Sequence, residues 1–356
     1  MHTSTATPAP ALPYVPRRRA RSLFVPLRGL RCHVMTWGEP ALATPERPPL
    51  VLVHGWMDVG ASFQFLVDAL DALEVRHGAG AARFIIAPDW RGFGRSDSAP
   101  GGQRTDTFWF PDYLADLDAL LRAPGLGLAH EPVVDLVGHS MGGNVAMMYA
   151  GIRPARVRRL VNLEGFGLPQ SHPAQAPGRY AQWLDQLREP ATLRDYDSLD
   201  AVAARLRKNN PRLRADFADW LAPHWSRRNE AGRFEILGDP AHKQLNPVLY
   251  RKEEAVACWA RITAPVLWVE GRQTDVSKWW GDRYPREDFE ARLAAVPQLA
   301  RATLDDCGHM LHHDQPEALA GWMAGHLGAA PRGPGHALAA GDARFGCGRH
   351  QTPSIS

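Results

Sequence analysis

Short apolar segments alternate with amphipathic segments along most of this chain. Runs apolar enough to be strands buried on both faces lie at 50–53, 84–87, 133–137, 157–163 and 265–269, with a weaker run at 300–304. Helical periodicity separates them, at 61–75, 109–122, 141–151 and 315–327. This alternation predicts an α/β fold built on a doubly wound, mostly parallel sheet. Residues 22–37 are predicted to lead into it as an antiparallel hairpin that turns at Arg28 and Gly29.

The alternation is interrupted between residues 168 and 258, which are helical in character and rich in large aromatic side chains. We predict a helical lid over 168–258, inserted into a core made of 22–167 and 259–328. The aromatic side chains in question are Tyr180, Trp183, Phe217, Trp220, Trp225 and Tyr250. They can either contact an apolar substrate or pack against one another within the lid. Residues 1–21 and 329–356 have the composition of a disordered leader and tail.

Composition narrows the classes of partner and compartment. The 41 basic and 38 acidic residues leave a formal net charge of +3, which favours neither nucleic acid nor a membrane surface as the main partner. The one basic cluster, Arg17–Arg21, is expected to be solvated, which leaves a lipid-surface role as a remote alternative. No apolar run approaches the length of a membrane span. The 4 cysteines have no metal-like spacing, so we expect free thiols and a cytoplasmic protein.

One glycine-rich segment carries a candidate nucleophile. Gly138-His139-Ser140-Met141-Gly142 lies between a strand-like run and a helix-like run. This is the context of the G-x-S-x-G turn, in which small flanking residues allow a crowded bend that exposes the serine. We therefore predict that Ser140 is a nucleophile rather than an ordinary turn residue.

A serine nucleophile needs a base and a carboxylate that orients the base. His309 lies between the last predicted strand and the last predicted helix, which is the expected place for the base. Two acids compete for the orienting role. Asp275 follows the strand at 265–269 and is preferred by chain order, whereas Glu164 ends the strand at 157–163 and is the alternative.

The developing oxyanion needs backbone N–H donors. One is expected from Met141, directly after the candidate nucleophile at a helix N-terminus. The second is expected from the loop that follows residues 50–53, where Trp56 is preferred and Met57 is next. No metal or organic cofactor is required for such a site.

Four segments together resemble the α/β-hydrolase superfamily over residues 22 to 328. They are "LVHGWMD", "APDWRGFGRSD", "LVGHSMGG" and "DCGHMLHHDQPE", in the family's order. The resemblance implies a single-domain α/β-hydrolase fold with a helical lid, similar to serine hydrolase-like proteins. It also implies that the "DWRGFGRS" loop is structural. Haloalkane dehalogenases and epoxide hydrolases are similar in outline, but they use an aspartate where this chain has Ser140.

These features predict a serine hydrolase that cleaves a carboxylic ester of a small or medium apolar substrate through an acyl-enzyme. The same residues could instead cleave a carbon–carbon bond or a thioester. A catalytically inactive member of the fold that only binds a partner is the alternative from another class. The sequence leaves the oligomeric state open.

Overall fold

A computed structural model describes residues 12–76, 83–130 and 132–328 of the chain. Its main sheet contains eight strands: β1 (Arg21–Leu27), β2 (Leu30–Trp37), β3 (Leu50–Val53), β4 (Ile85–Pro88), β5 (Val134–His139), β6 (Val157–Leu163), β10 (Val266–Gly271) and β11 (Leu299–Leu304). Three further strands form a small separate sheet: β7 (Asp195–Tyr196), β8 (Ser226–Arg228) and β9 (Phe234–Ile236).

The main sheet is the predicted one. Its strand order is β1-β2-β4-β3-β5-β6-β10-β11, and every pairing from β4 to β11 is parallel. The leading hairpin β1–β2 is antiparallel and turns at Arg28 and Gly29, as the pattern predicts. The strands β3, β4 and β5 are buried along their whole length, which explains why they appear in the sequence as unbroken apolar runs.

Helices cover both faces of this sheet. The helices are α1 (Gln64–Arg76), α2 (Phe110–Leu120), α3 (Met141–Ile152), α4 (Ala176–Arg188), α5 (Leu199–Asn209), α6 (Ala215–Trp225), α7 (Lys252–Trp259), α8 (Ser277–Trp280), α9 (Arg286–Leu293), α10 (Leu311–Asp314) and α11 (Pro316–Gly328). Apolar side chains of α1 and α11 form the core on one face, and those of α2, α3, α7 and α9 form it on the other. The predicted doubly wound arrangement is therefore confirmed.

The insertion between β6 and α7 is not purely helical. It carries α4, α5 and α6 together with the small antiparallel sheet β7-β9-β8, which is absent from the predicted helical lid. These strands are two or three residues long, which is too short for a hydrophobic period to be recognised in the sequence. The predicted lid boundary at residue 258 falls within α7, which packs on the core: a Cβ on Gly151 of α3 would lie 1.9 Å from the Cys258 carbonyl oxygen.

Three of the aromatic side chains of the insertion pack within the protein. The Phe217 ring stacks on Phe65 of α1 with 3.7 Å between the ring centroids, and Trp220 contacts the same ring edge-on at 5.6 Å. Trp225 packs against the same cluster. For these residues, lid packing is the observed role.

The predicted leader is partly wrong, because residues from Tyr14 onward are docked on the core. The Tyr14 hydroxyl donates to Asp68 at 2.5 Å, and the Tyr14 ring meets Phe65 and Phe217 edge-on, each at 5.0 Å. The backbone N–H groups of Arg17 and Arg18 also donate to Asp68. Pro-rich composition suggested disorder, but one aromatic anchor and one buried carboxylate hold the segment. Residues 1–11 and 329–356 lie outside the described residues.

The basic cluster and the cysteines belong to this framework. Arg21 pairs with Glu39 at 2.5 Å and Arg18 donates to the Arg83 carbonyl oxygen at 2.5 Å, so both guanidinium groups have partners within the protein. Cys32, Cys258 and Cys307 are free thiols, and Cys347 lies beyond the described residues. Within those residues, the helices are all too short or too polar to cross a membrane.

Truncating the anchor of the leading segment should destabilise the fold. Tyr14→Ala removes the aromatic contacts with α1 and α6, and we expect it to lower the free energy of unfolding by about 2 kcal/mol. Tyr14→Phe keeps the ring and loses only the hydroxyl bond, so its loss should be about 1 kcal/mol. Chemical denaturation of the full chain measures both. An unchanged unfolding midpoint for Tyr14→Ala would contradict the docking of this segment.

Candidate active site

Ser140 occupies a strained turn between β5 and α3. Its backbone has φ +52° and ψ −116°, a conformation that a non-glycine residue rarely adopts. The Ser140 N–H donates to the Leu163 carbonyl oxygen at 2.8 Å, which ties the turn to β6. A Cβ on Gly142 would lie 2.2 Å from the Val53 carbonyl oxygen, and one on Gly138 would lie 2.3 Å from the Gly142 oxygen. The two glycines are therefore required for the turn to close.

The structure pairs His309 with Glu164. The His309 Nδ1 atom lies 2.6 Å from Glu164 Oε2, and the Gly271 N–H donates to Glu164 Oε1 at 2.7 Å. Glu164 is fully buried, whereas the His309 side chain remains 25% exposed. Because an N–H bond to Oε1 favours the ionised carboxylate, we assign the shared proton to His309 Nδ1. That tautomer leaves a lone pair on Nε2.

The register of the sheet explains why Glu164 reaches this position. His139 at the end of β5 is opposite Leu163 at the end of β6, so Ser140 and Glu164 leave adjacent parallel strands at the same level. Glu164 also has a positive φ of +55°, and the Asn162 side chain holds the turn by accepting from the Gly165 N–H at 2.7 Å. The carboxyl ends of these two strands therefore place the two side chains at one edge of the sheet.

Burial disfavours charge on both members of the pair. It lowers the pKa of His309 to about 4, and it raises the pKa of the Glu164 carboxyl, an effect that the hydrogen bond from the Gly271 N–H opposes. A neutral His309 near pH 7 is the form that can accept a proton. Ser140 and His309 make no hydrogen bond to each other among the contacts of the described residues, and such contacts commonly form only when substrate binds.

Asp275, the acid preferred by chain order, bonds to Ser277 in the structure and not to His309. The Asp275 carboxylate accepts from the Ser277 hydroxyl at 2.5 Å and from the Ser277 N–H at 3.1 Å, in the exposed turn that leads into α8. These bonds to Ser277 lower the pKa of Asp275. Asp275 lies four residues beyond the end of β10, whereas Glu164 directly follows the end of β6. The order of the residues along the chain does not reveal how far each carboxylate lies beyond the end of its strand.

Both predicted oxyanion donors lie beside the turn of Ser140. Met141 is the first residue of α3, where a backbone N–H has no partner within the helix. Gly55 of the loop after β3 packs against the turn, since a Cβ on it would lie 3.1 Å from Ser140 Cβ. Trp56 follows Gly55, and among the hydrogen bonds of the described residues its backbone N–H donates to no carbonyl oxygen. Met57, the second choice, has a positive φ of +56°.

The loop with the sequence "DWRGFGRS" is structural, as the resemblance implied. Asp89 accepts from the Gly60 N–H at 2.8 Å and the Arg95 N–H at 2.9 Å, and it bonds to His33 at 2.7 Å. Arg91 forms a two-pronged ion pair with Asp116. These contacts hold the loop against β2, α2 and the turn before α1, and they leave neither side chain free for chemistry.

The same loop fastens the insertion to the core. The Gly94 N–H donates to the Leu237 carbonyl oxygen at 2.8 Å, and the Asp239 N–H donates to the Gly92 carbonyl oxygen at 2.7 Å. The His242 ring is stacked between Phe93 and Phe108, with 3.6 Å between centroids on each side. The insertion is therefore held to the core beside the loop after β3, where Trp56 Nε1 donates to the His242 carbonyl oxygen at 3.3 Å.

One buried group within the described residues has the composition of a metal site. The candidate ligand atoms of Asp58, His312 and His313 all lie within 4.8 Å of one another. Both Asp58 oxygens already accept from the Ser62 hydroxyl at 2.7 Å, and Ser62 also bonds to His312 Nε2 at 3.2 Å. Ligands of a tetrahedral zinc ion would stand about 3.4 Å apart. The group therefore fits a hydrogen-bonded network beneath the His309 loop better than a metal site.

The comparisons with known proteins agree with this geometry. A family model described as the alpha/beta hydrolase fold matches residues 48–316. The chain belongs to the α/β-hydrolase family. The thioesterase domain of the curacin biosynthetic pathway superposes with a TM-score of 0.69 at 22% identity, over 86% of this chain and 99% of that domain, which supports the fold alone.

Two curated relatives of this α/β-hydrolase are similar in sequence over part of their length. A "Probable serine hydrolase" of Drosophila melanogaster is 30% identical over 36% of this chain and 38% of the relative. A "Serine hydrolase-like protein" of Danio rerio is 33% identical over 42% of this chain and 40% of the relative. The chain thus spans about two fifths of the length of each of these relatives.

Stability of this α/β-hydrolase should fall in mild acid, because it buries neutral histidines. Burial lowers the pKa of His54, His139, His312 and His313 below the ordinary histidine value. The unfolded chain therefore binds more protons than the folded chain below about pH 6.5, and stability decreases as pH falls. Each histidine contributes about 1.4 kcal/mol between pH 7.5 and 5.5. Glu164, whose pKa burial raises, opposes part of this decrease, because the folded chain then holds a proton on that carboxyl at a higher pH than the unfolded chain does.

Chemical denaturation at the two pH values measures the net change. We expect the free energy of unfolding to be at least about 2 kcal/mol lower at pH 5.5 than at pH 7.5. Equal or greater stability at pH 5.5 would contradict neutral burial of these rings.

Proposed function

We propose that this α/β-hydrolase is a serine hydrolase that cleaves a carboxylic ester of a small or medium apolar substrate. The observation that carries the proposal is the 2.6 Å contact between His309 and the buried Glu164, at the sheet edge where Ser140 occupies its strained turn. The names of the two serine hydrolase relatives support the same chemistry.

In the first half of the reaction, Ser140 Oγ attacks the carbonyl carbon while His309 Nε2 accepts the hydroxyl proton. Glu164 holds the His309 ring through Nδ1 and stabilises the imidazolium that forms. The backbone N–H groups of Met141 and Trp56 donate to the oxyanion, and the positive end of the α3 dipole adds to their effect. His309 then protonates the leaving alcohol, which departs as the acyl-enzyme forms.

In the second half, water attacks the acyl group. His309 accepts a proton from the water, the second tetrahedral intermediate occupies the same oxyanion site, and the proton returns to Ser140 Oγ as the acid product leaves. The groups named here suffice for each of these proton transfers. Glu164 does not transfer a proton in this scheme, and its role is to orient and stabilise His309.

Exposed tryptophans near the site support an apolar substrate. The Trp279 ring meets the His309 ring edge-on at 4.5 Å and is 41% exposed. Trp56, which follows the oxyanion loop glycine, is 52% exposed. Large exposed aromatic surface near a catalytic group is typical of a site that binds an apolar acyl or alcohol moiety.

The acid assignment predicts different outcomes for two matched carboxylate-to-amide variants. Glu164→Gln should lower kcat for p-nitrophenyl ester hydrolysis by roughly 10³- to 10⁴-fold, because His309 loses the charge that stabilises its protonated form. Asp275→Asn should keep kcat within about threefold, since Asp275 bonds only to the turn of Ser277 in this structure. Ser140→Ala is the inactive reference.

The same assay distinguishes the alternatives. If the Asp275→Asn variant were inactive and the Glu164→Gln variant active, the role proposed for Glu164 would be contradicted. An intact wild type without ester turnover, tested over a range of acyl chain lengths, would contradict the esterase proposal. If that same wild type cleaved a thioester or a diketone instead, the substrate bond would be a thioester or a carbon–carbon bond. If Ser140 reacted with none of these substrates, a binding protein would be favoured.

A further inference from the structure

His139, the residue before Ser140, has a buried ring that reaches the loop of His309. It is 2% exposed, and its Nε2 atom lies 2.8 Å from the backbone carbonyl oxygen of His309. A carbonyl oxygen can only accept, so Nε2 carries the proton and donates it. The His139 and His309 rings are adjacent, with 4.8 Å between centroids.

The other edge of the ring faces the oxyanion loop. A Cβ on Gly55 would lie 3.0 Å from His139 Nδ1, so the ring packs directly against that loop. Nδ1 has no hydrogen-bond partner among the described residues. The ring thus lies between the oxyanion loop and the base loop, and its own backbone leads into the nucleophile turn.

The backbone of the base loop is bonded on both sides of His309, since the Cys307 carbonyl oxygen accepts from the Gln273 N–H and the Met310 carbonyl oxygen accepts from the His313 N–H. The His309 side chain is held through Nδ1 by Glu164 of the turn after β6, and the neighbouring Gly308 N–H donates to Asp314 at 2.8 Å. The bond from His139 is the one that the structure gives to the His309 carbonyl oxygen. It is also the contact that connects this backbone to the strand carrying Ser140.

We propose that His139 is a positioning residue, which fixes the backbone of His309 relative to Ser140 through the Nε2–H bond to the His309 carbonyl oxygen. This inference rests on the proposed function of Ser140 and His309. Glu164 sets the orientation of the His309 ring, whereas His139 sets the position of the His309 backbone from which the side chain extends. A displacement of about 1 Å in a catalytic group can cost about 100-fold in rate, so this tether affects kcat rather than substrate binding.

Burial also keeps the His139 ring uncharged. It lowers the pKa of His139 to about 3, so the ring stays neutral beside His309. A neutral ring adds no positive charge next to the imidazolium that forms on His309 during the reaction.

Two amide variants test the proposal, because they place a donor at different distances along the side chain. The Gln amide nitrogen lies near the position of imidazole Nε2, whereas the Asn amide nitrogen lies near the position of Nδ1. We expect His139→Gln to keep kcat within about threefold, and His139→Asn to lower kcat by roughly 10- to 100-fold with KM nearly unchanged. Circular dichroism and unfolding midpoints establish that both variants fold.

Equal losses in both variants would show that the ring only fills space and would overturn the proposal. Wild-type kcat in His139→Asn would overturn it as well. A second readout does not depend on turnover: in spectra of ¹⁵N-histidine-labelled protein, the chemical shifts of the His309 ring nitrogens report the tautomer and its hydrogen bonds. These nitrogen shifts should stay close to the wild-type values in His139→Gln and change in His139→Asn. If the wild type hydrolyses no ester, the proposed function fails, and the His309 signals still decide the positioning role.

Discussion

The hydrogen bond between His309 Nδ1 and Glu164 Oε2 is the interaction on which the rest of the site depends. It joins a loop after the last strand of the sheet to the turn after β6, across 145 residues of sequence. Because the carboxyl is buried and also bonded to the Gly271 N–H, the imidazole has a single well-defined partner. The orientation of that ring determines which nitrogen is available to Ser140, so this bond links the fold to the proposed chemistry.

The parallel sheet determines where Ser140 and Glu164 lie relative to each other. Ser140 and Glu164 are brought level by the register of β5 and β6, and both residues have a positive φ at the point where their strands end. The glycines around Ser140 let α3 approach β3 closely enough for the turn to close. Strain at these two residues is maintained because β5 and β6 are buried and each is paired with a strand on both sides. The insertion is fastened to the same edge through His242 and the loop of Asp89.

Much of this could be predicted from local sequence. The buried strands appear as apolar runs, and the motifs around Ser140 and His309 identify both residues without any structure. Asp275 and Glu164 could not be separated in this way, because the choice depends on strand register and on how far each residue lies beyond its strand. The strands of the insertion are too short for a hydrophobic period to be recognised, and the docking of Tyr14 depends on a distant aromatic cluster. A carboxylate that directly ends a strand beside the nucleophile strand, as in "NLEGFG", is the signal that favoured Glu164.

The central claim concerns the proton shared by His309 and Glu164, and proton NMR of the folded protein tests it most directly. A short, partly buried imidazole–carboxylate bond shifts the Nδ1 proton far downfield of the amide region. The account predicts such a signal in the wild type and in Asp275→Asn, and its loss in Glu164→Gln. A signal that survives in Glu164→Gln, or that disappears in Asp275→Asn, would contradict the pairing from which the mechanism is argued.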